Sequence, residues 1–223
     1  MTTAILIPAR IDSSRFPEKM LAKLDNRPLI KYVYDKCAST GLDTYVLTDS
    51  KRVQSLFPEK NTLFTKDADN GTERCMSVID SVLEYDRYIN VQGDMPDINE
   101  DIIRAVEDEL QRSEVSTAYT TMDFNLRNDP NTVKMIHTRG RAHWFLRASL
   151  TYGDHHLGIY GYNREAKIMY GASKKYPEED IEKLEQLRWI QNGVKLGVVE
   201  VEFNGIEINT PEDLERWQKA NGK

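Results

Sequence analysis

Short apolar runs alternate with longer amphipathic stretches along most of this chain of 223 residues. The apolar runs have the length of single strands, and the longer stretches have the periodicity of helices that cover a sheet. This alternation is typical of an α/β protein with helical crossovers. The predicted strands are Ala4–Ile7, Thr44–Leu47, Thr62–Phe64, Tyr88–Val91, Val115–Thr120, Val133–His137, His143–Leu146, His156–Tyr162 and Lys195–Phe203. The predicted helices are Pro28–Ser39, Thr72–Tyr85, Asn99–Arg112, Glu178–Gln191 and Pro211–Ala220.

Two features support the helix assignments. The last-but-one predicted helix carries a core stripe at helical spacing, formed by Ile181, Leu184, Leu187 and Ile190. Asn26 stands just ahead of the first predicted helix, and Thr210 is a natural N-cap for the last one. The N-cap residue Thr210 therefore supports the start of the last predicted helix.

The pattern changes between about Val115 and Tyr162, where predicted strands follow one another without long helices. Such spacing favours antiparallel pairing. The early strands alternate with helices as in a nucleotide-binding half, and we expect this later region to carry the second substrate. The chain shows no repeat, low-complexity tract or linker, and its 223 residues fit one domain. We therefore predict a single domain over residues 1–223, with a mixed, mainly parallel sheet and a small antiparallel excursion.

Charge and cysteine content exclude several classes of protein. Lys and Arg number 30 against 36 Asp and Glu, so the chain has no general basic character for nucleic acid. Cys37 and Cys75 fit neither a disulfide framework nor a zinc site. No apolar stretch approaches the roughly 18–20 residues of a membrane span, and the first residues lack the basic flank of a signal peptide. We expect a cytoplasmic protein with no nucleic-acid or membrane partner.

A cluster of cations follows the first predicted strand directly, and we call residues 9–19 the cationic loop. Arg10, Arg15 and Lys19 fall within ten residues, with Ser13 and Ser14 between them. Open α/β sheets bind ligands at the carboxyl ends of strands, and charge-assisted bonds to phosphate are strong. Because the loop lacks the glycines of a Walker motif, these residues alone fit either a solvated surface or a phosphate site.

Residues 7–19, which read IPARIDSSRFPEK, resemble the opening signature of the 3-deoxy-manno-octulosonate cytidylyltransferase family. The resemblance implies a Rossmann-like three-layer sandwich of the nucleotide-diphospho-sugar transferase type. It also implies an enzyme that joins CTP to a 2-keto sugar acid and releases pyrophosphate. By position, the triphosphate ligands become Arg10, Ser13, Ser14, Arg15 and Lys19, and Arg10 and Lys19 also take part in catalysis. Where the family usually reads P-G-K, this chain has Glu18, which places a carboxylate beside the phosphates.

Two further segments match the family in order. Residues 70–74, NGTER, resemble S-G-T-[DE]-R and make Gly71, Thr72 and Arg74 candidates near the base and ribose. By itself this segment also fits a plain helix N-cap. Residues 90–96, NVQGDMP, resemble N-V-Q-G-D-[EQ]-P and make Gln92 a candidate for both nucleotide and sugar binding.

The resemblance implies a magnesium site. Mg²⁺ prefers hard oxygen ligands and keeps water and phosphate oxygens, and Asp94, which follows a predicted strand, is the first candidate. The second family ligand lies in a V-D-T-P-E-D segment, and the matching residues 206–213 place Asn209 at the aspartate position. Glu207, two residues earlier on the same strand face, is a substitute ligand.

On the sugar side, residues 155–162, HHLGIYGY, resemble H-[IL]-G-I-Y-[AG]-[YF], and the family lines its sugar pocket with the matching His156 and Tyr160. By themselves these residues also fit a packed Tyr and a surface His. Residues 184–188, LEQLR, match a family segment in which Glu185 and Gln186 reach sugar hydroxyls, although such residues on a helix are usually solvated. Arg147 in a segment resembling F-S-R-A is the candidate for the sugar carboxylate. Lys134 adds positive charge.

Three hypotheses follow from these observations. The first is a Mg²⁺-dependent transferase that supplies CMP-3-deoxy-manno-octulosonate to lipopolysaccharide biosynthesis. The second is the same reaction on an amino-octulosonate or a nonulosonate, because the loop between Arg147 and His156 is shorter than the family's. The third is a weakened nucleotide-binding paralogue, which Asn209 favours. The resemblance also implies a homodimer.

Overall fold

The computed structural model of the protein describes residues 1–11, 15–79 and 84–221, so the candidates Ser13 and Ser14 lie outside the described residues. The strands are β1 Thr3–Pro8, β2 Lys23–Leu24, β3 Arg27–Pro28, β4 Asp43–Thr48, β5 Thr62–Phe64, β6 Arg87–Val91, β7 Val115–Thr120, β8 Lys134–Thr138, β9 Arg141–Leu146, β10 Asp154–Asn163 and β11 Leu196–Glu200. The helices are α1 Leu29–Ala38, α2 Lys51–Gln54, α3 Gly71–Met76, α4 Glu100–Glu109, α5 Arg164–Ala172, α6 Pro177–Glu182, α7 Leu187–Gln191 and α8 Pro211–Asn221.

The contacts within the chain divide it into two compact units. The N-terminal unit comprises Thr2–Tyr85, Asn90–Glu100 and Asn204–Lys223. The central unit comprises Asp86–Ile89 and Asp101–Phe203, together with Met1. The single domain predicted from the sequence stays a prediction.

In the N-terminal unit, β4 lies between β1 and β5, and both pairings are parallel. The register sets Ile5 opposite Thr44 and Val46 opposite Thr62. Every residue of β1 is buried, which explains its continuous apolar run. The parallel strands predicted for the first part of the chain are confirmed.

In the central unit, β7 pairs antiparallel with β10 and parallel with β11. β9 pairs antiparallel with β8 and with β11, and β8 also pairs antiparallel with β10. The predicted α/β class with an antiparallel excursion is therefore confirmed. The register of β10 shifts between Leu157 and Tyr160, as it does where a strand carries a bulge.

Two helix predictions were wrong in extent. The predicted helix Thr72–Tyr85 ends at Met76, where the Ser77 hydroxyl donates to the Arg74 carbonyl over 2.7 Å. Such a side-chain bond to the backbone competes with helix continuation. Residues 84 and 85 are not helical, and residues 80–83 lie outside the description.

The predicted helix Glu178–Gln191 is broken into α6 and α7 because Lys183 adopts a left-handed conformation, with φ 55°. The break lets Glu179 and Arg188 form a buried ion pair of 2.6 Å, whereas nine residues of one straight helix would separate them by roughly 13 Å. It also leaves Ile181 76% exposed, so the predicted core stripe was wrong at that residue. The sequence patterns also missed α2 and α5.

The start of α8 follows the prediction, and the start of α1 does not. Asp213 N donates to the Thr210 hydroxyl over 3.3 Å, so Thr210 caps α8. Asn26 instead lies in the turn between β2 and β3, with φ 65°, and does not cap α1. Within the described residues, none of the helices is long and apolar enough to cross a membrane.

Candidate active site

The cationic loop is fastened to the end of the neighbouring strand β4. Thr48 Oγ1 donates to the Ala9 carbonyl over 2.7 Å, and Ile11 N donates to Asp49 Oδ1 over 3.5 Å. Both bonds lie where the loop leaves β1, at the carboxyl end of a parallel strand. The sheet edge that the sequence predicted for ligand binding therefore presents this loop.

The predicted phosphate-binding cations differ in exposure. Arg10 is exposed, and its Nη1 donates to the Asp69 carbonyl over 3.4 Å. Arg15 is also exposed. Lys19 is only 7% exposed, and its Nζ lies 2.5 Å from Asp94 Oδ2. The loop thus presents two arginines to solvent and holds its lysine against the candidate metal ligand.

Gly93, directly before Asp94, lies against Met20 and Ile30. A Cβ at Gly93 would lie 2.7 Å from Met20 Sδ and 3.1 Å from Ile30 Cδ1. Because Met20 Sδ is near the end of a flexible side chain, a larger residue at position 93 would shift that end of Met20. The backbone before the candidate metal ligand therefore packs against the residue that follows the cationic loop.

The first residue of α3 lies beside Gln92 and the end of β1. A Cβ at Gly71 would lie 3.0 Å from Gln92 Nε2 and 3.2 Å from Pro8 Cγ. Gln92 Nε2 donates to Asn90 Oδ1 over 3.3 Å. Three segments that were predicted to bind nucleotide therefore meet at this position.

The start of α3 has the local bonds of a helix N-cap. Asn70 Oδ1 accepts from Glu73 N over 2.8 Å, and Glu73 Oε2 accepts from Asp69 N over 3.3 Å. The first bond is that of a side-chain N-cap, and the second ties Glu73 to the residue before the cap. The candidate Thr72 is buried within the same turn. The plain N-cap interpretation accounts for these bonds, and the nucleotide role of Thr72 stays a prediction.

Arg74 is 2% exposed and is fully engaged inside the N-terminal unit. Its Nη2 lies 2.5 Å from Asp49 Oδ2, and its Nη1 donates to the Lys66 carbonyl over 3.2 Å and contacts the Thr65 hydroxyl. Asp49 in turn accepts from the backbone of the cationic loop. The contacts of Arg74 therefore position the loop.

The backbone of Asp94 lies against the segment that carries Asn209. Ile208 N donates to the Asp94 carbonyl over 2.9 Å. Asp213 Oδ2 accepts from Asn209 N over 3.0 Å and from Thr210 N over 2.9 Å, which fixes the turn into α8. The two predicted metal ligands are therefore neighbours, although they lie far apart in sequence.

Asp97 joins the same two segments. Its Oδ2 accepts from Ile206 N over 2.9 Å, and its Oδ1 accepts from Trp217 Nε1 over 2.9 Å. Trp217 and Ile208 belong to an apolar cluster against which Phe16 of the cationic loop also packs. The loop, the Asp94 turn and α8 thus share one supporting core.

The chemistry of these residues fits magnesium. Asp94 offers a carboxylate, Asn209 an amide oxygen and Glu207 a second carboxylate on the Asn209 segment, and all are hard oxygen donors. Among the described residues, no three His, Cys, Asp or Glu side chains cluster as a metal site. Two protein oxygens suffice for Mg²⁺, which takes its other ligands from phosphate and water.

All candidate sugar ligands except Gln92 lie in the central unit. His156 is 4% exposed, its Nε2 lies 3.0 Å from Thr117 Oγ1, and its ring centroid lies 5.4 Å from that of Tyr160. Burial lowers the pKa of His156 to about 3, with smaller contributions from His155 and Arg147. At neutral pH this imidazole is uncharged, so it can form hydrogen bonds but offers no positive charge.

Arg147 and Lys134 bind backbone oxygens of the central unit. Arg147 Nε donates to the Glu182 carbonyl over 2.9 Å, and its Nη1 donates to the Pro130 carbonyl over 3.0 Å. Lys134 is fully buried, and its Nζ donates to the carbonyls of Asp129 and Arg147 over 2.6 and 3.1 Å. Desolvation lowers the pKa of Lys134. Both cations therefore hold the turns around the strand ends.

Gln186 differs from the other candidates because its polar atoms lack partners. The residue is 1% exposed, and neither Nε2 nor Oε1 has a hydrogen-bond partner among the described residues. A buried amide without partners costs free energy unless a water molecule or a ligand satisfies it. Glu185, beside it, is half-buried. The solvated-helix alternative was wrong for Gln186, which lies in the turn between α6 and α7.

Comparison with known proteins identifies the family. The cytidylyltransferase family matches residues 4–196. The 8-amino-3,8-dideoxy-manno-octulosonate cytidylyltransferase of Shewanella sp. (strain ANA-3) is 35% identical over an alignment of 240 residues including gaps, and the alignment covers 98% of each chain. The 3-deoxy-manno-octulosonate cytidylyltransferase of Bartonella henselae (strain Houston 1) is 35% identical over an alignment of 234 residues including gaps, and the alignment covers 96% of each chain. The chain belongs to the cytidylyltransferase family.

Solved structures agree with this membership. The structure of CMP:2-keto-3-deoxy-manno-octonic acid synthetase complexed with CTP is 30% identical and has a TM-score of 0.87, with 99% of this chain and 98% of that chain covered. A putative glucose-1-phosphate thymidylyltransferase from Bacillus anthracis is 16% identical, with a TM-score of 0.73 and coverage of 98% and 95% of the chains, and it supports the fold alone. The nucleotidyltransferase fold predicted from the motifs is confirmed, and so is the octulosonate cytidylyltransferase family.

The sequence motifs missed two residues that organise the candidate site. Asp49 links Arg74 to the cationic loop, and Asp97 links Ile206 to Trp217. The sequence could have indicated Asp49, because this residue follows the predicted strand Thr44–Leu47 at the edge of the sheet where ligands bind. Asp97 gave none, since its partners lie more than a hundred residues away.

Proposed function

We propose that this chain transfers the cytidylyl group of CTP to the anomeric hydroxyl of a 2-keto-3-deoxy sugar acid and releases pyrophosphate. The first candidate for the sugar is 3-deoxy-manno-octulosonate. The observation that carries the proposal is the 2.5 Å contact between Lys19 and Asp94, where a predicted phosphate ligand meets a predicted metal ligand. The activities named for the relatives from Shewanella and Bartonella support it.

In the proposed reaction, the anomeric oxygen forms a bond to the α-phosphorus of CTP, the bond to pyrophosphate breaks, and the hydroxyl proton is lost. Bound Mg²⁺ would supply positive charge at the phosphate oxygens, with Asp94 and Asn209 as its protein ligands. Lys19 has three N–H donors, so its ammonium can keep Asp94 and still donate to a phosphate oxygen. Arg10 and Arg15 add charge-assisted bonds to the triphosphate.

For the sugar acid, we propose hydrogen-bonding side chains of the central unit, some neutral and some charged. Gln186 offers an amide with both ends unpaired among the described residues, and Glu185 stands beside it. His156 and Tyr160 provide adjoining rings, and Arg147 provides the charge for the sugar carboxylate. The 8-amino sugar is a second candidate, because the relative named for it has the same 35% identity as the one named for the octulosonate.

We also propose that the protein works in the cytoplasm as a homodimer and supplies lipopolysaccharide biosynthesis. The family resemblance supports these statements. Light scattering coupled to gel filtration measures the oligomeric state directly.

A pyrophosphate-release assay tests the reaction. Wild-type protein should release pyrophosphate only when CTP, Mg²⁺ and a sugar acid are all present, and ATP, GTP or UTP should give little. Replacing 3-deoxy-manno-octulosonate with its 8-amino analogue and with a nonulosonate identifies the sugar. Tight CTP binding without turnover on any sugar acid would overturn the proposal in favour of a nucleotide-binding paralogue.

A further inference from the structure

Glu18 holds a backbone conformation that residues with side chains rarely adopt. Its φ of 54° and ψ of 26° are left-handed, and glycine takes this conformation at the least cost. A carboxylate therefore stands directly before Lys19, where its backbone conformation costs free energy and its negative charge opposes the cations of the loop.

The Glu18 carboxylate is held by Arg52 of α2. Arg52 Nη1 contacts Oε1, and Nη2 donates to Oε2 over 3.1 Å, so the guanidinium grips both oxygens. This forked geometry is the strong form of an Arg–carboxylate pair. The hydrogen bond from Arg52 lowers the pKa of Glu18. The carboxylate is thus ionised and paired at neutral pH.

Arg52 belongs to the segment that also fastens the start of the cationic loop. Thr48 and Asp49 at the end of β4 bind the first residues of the loop, and Arg52, three positions after Asp49, binds Glu18 near its end. One short segment therefore holds the loop on both sides of residues 12–14.

We propose that Arg52 neutralises the carboxylate that Glu18 brings into the cationic loop, and so keeps the loop able to bind a triphosphate. Without Arg52, a negative charge would stand next to Lys19. Charges within a Debye length of about 8 Å in physiological salt still interact, so this carboxylate would repel the phosphates. Arg52 is a charge-compensating and positioning residue, and Glu18 is the residue through which it acts.

The test compares four proteins: wild type, Arg52→Ala, Glu18→Gln and the double variant. Binding of CTP and of inorganic tripolyphosphate is measured by calorimetry at low and high salt. Arg52→Ala should weaken both ligands about 5- to 10-fold at low salt, since one unpaired charge acts on several phosphate charges. Glu18→Gln should tighten both ligands by a similar factor, because Arg52 is then a cation without a compensating carboxylate, and the double variant should bind within about 2-fold of wild type, because both charges are gone.

Two further variants keep the result interpretable. Arg112→Ala removes an exposed arginine paired with Glu109 over 3.7 Å in the central unit, and it should leave binding unchanged. Glu18→Gly removes the carboxylate and the backbone strain together, so Arg52→Ala combined with it should also bind within about 2-fold of wild type. Circular dichroism establishes that each protein is folded.

Several outcomes would overturn the inference. A double variant that binds as weakly as Arg52→Ala would mean that Arg52 contacts the ligand or supports the fold by itself. No change in either single variant would mean that the carboxylate does not reach the phosphates. Because this role presupposes the proposed function, wild-type protein that binds neither CTP nor tripolyphosphate would overturn both, whereas wild-type CTP binding without recovery in the double variant would overturn this inference alone.

Discussion

The candidate groups of the two units are held in place by different forces. In the N-terminal unit, charged side chains bind one another, as Lys19 binds Asp94 and Arg74 binds Asp49. In the central unit, Arg147 binds backbone carbonyls and His156 is buried and uncharged. This difference suits the proposed substrates, because a triphosphate is recognised by charge and a sugar mainly by neutral hydrogen bonds. The four changes below challenge that contrast, beginning with the largest expected effect.

Removing the Asp94 carboxylate is the most severe test of the charged groups in the N-terminal unit. Asp94→Ala should lower turnover by about 1,000-fold or more, because both the metal ligand and the partner of Lys19 are lost. Initial rates of pyrophosphate release at saturating CTP and Mg²⁺ measure this effect. Asp123→Ala, which changes an exposed turn of the central unit, is the control. Near-normal turnover of Asp94→Ala would mean that the metal assignment is wrong.

Removing the lysine charge should separate the two substrates. Lys19→Ala should raise the KM for CTP roughly 10- to 100-fold, the range for losing a hydrogen bond to a charged group. The KM for the sugar acid should change little, because its proposed ligands lie in the central unit. Steady-state kinetics with each substrate varied in turn gives both constants. Equal increases would break the contrast between charged and neutral recognition.

Replacing Gln186 is the converse test, because it removes a neutral candidate ligand of the sugar acid in the central unit. Gln186→Leu should raise the KM for the sugar acid about 10-fold while leaving the KM for CTP unchanged, because a polar contact is lost. The unliganded protein should keep its stability or gain about 1 kcal/mol, since two unpaired buried polar atoms disappear. Urea unfolding and kinetics measure the two effects, with the exposed Gln111→Leu as control. A large loss of stability would indicate that Gln186 supports the fold instead.

The smallest expected effect concerns the contribution of His156 to the loss of stability at low pH. Its pKa falls from an ordinary 6.5 to about 3 in the folded protein. Between these values the unfolded state binds more protons, so His156 makes the wild-type protein less stable as pH falls. His156→Gln should therefore lose less stability than wild type, by roughly 1–2 kcal/mol between about pH 6.5 and 4.5. Urea unfolding across that range measures the difference, and parallel curves would mean that His156 is not buried as a neutral group.

The local pattern of the sequence determined much of the fold and the family of the site. The prediction for Val115–Thr120 matches β7 residue for residue, because the β-branched and aromatic residues of this segment favour a strand. The order of the motifs placed Lys19 and Asp94 in one site, and their 2.5 Å contact agrees with that prediction.

Contacts between distant residues were decided only by the tertiary structure. The break at Lys183 accompanies the buried pair of Glu179 and Arg188, and neither residue reveals that partner in a helical pattern. Arg52 is separated from Glu18 by 34 positions, so its compensating charge cannot be read from the loop that needs it. Periodicity reports which face of an element is buried, whereas the partner of each polar group depends on where the whole chain brings other groups.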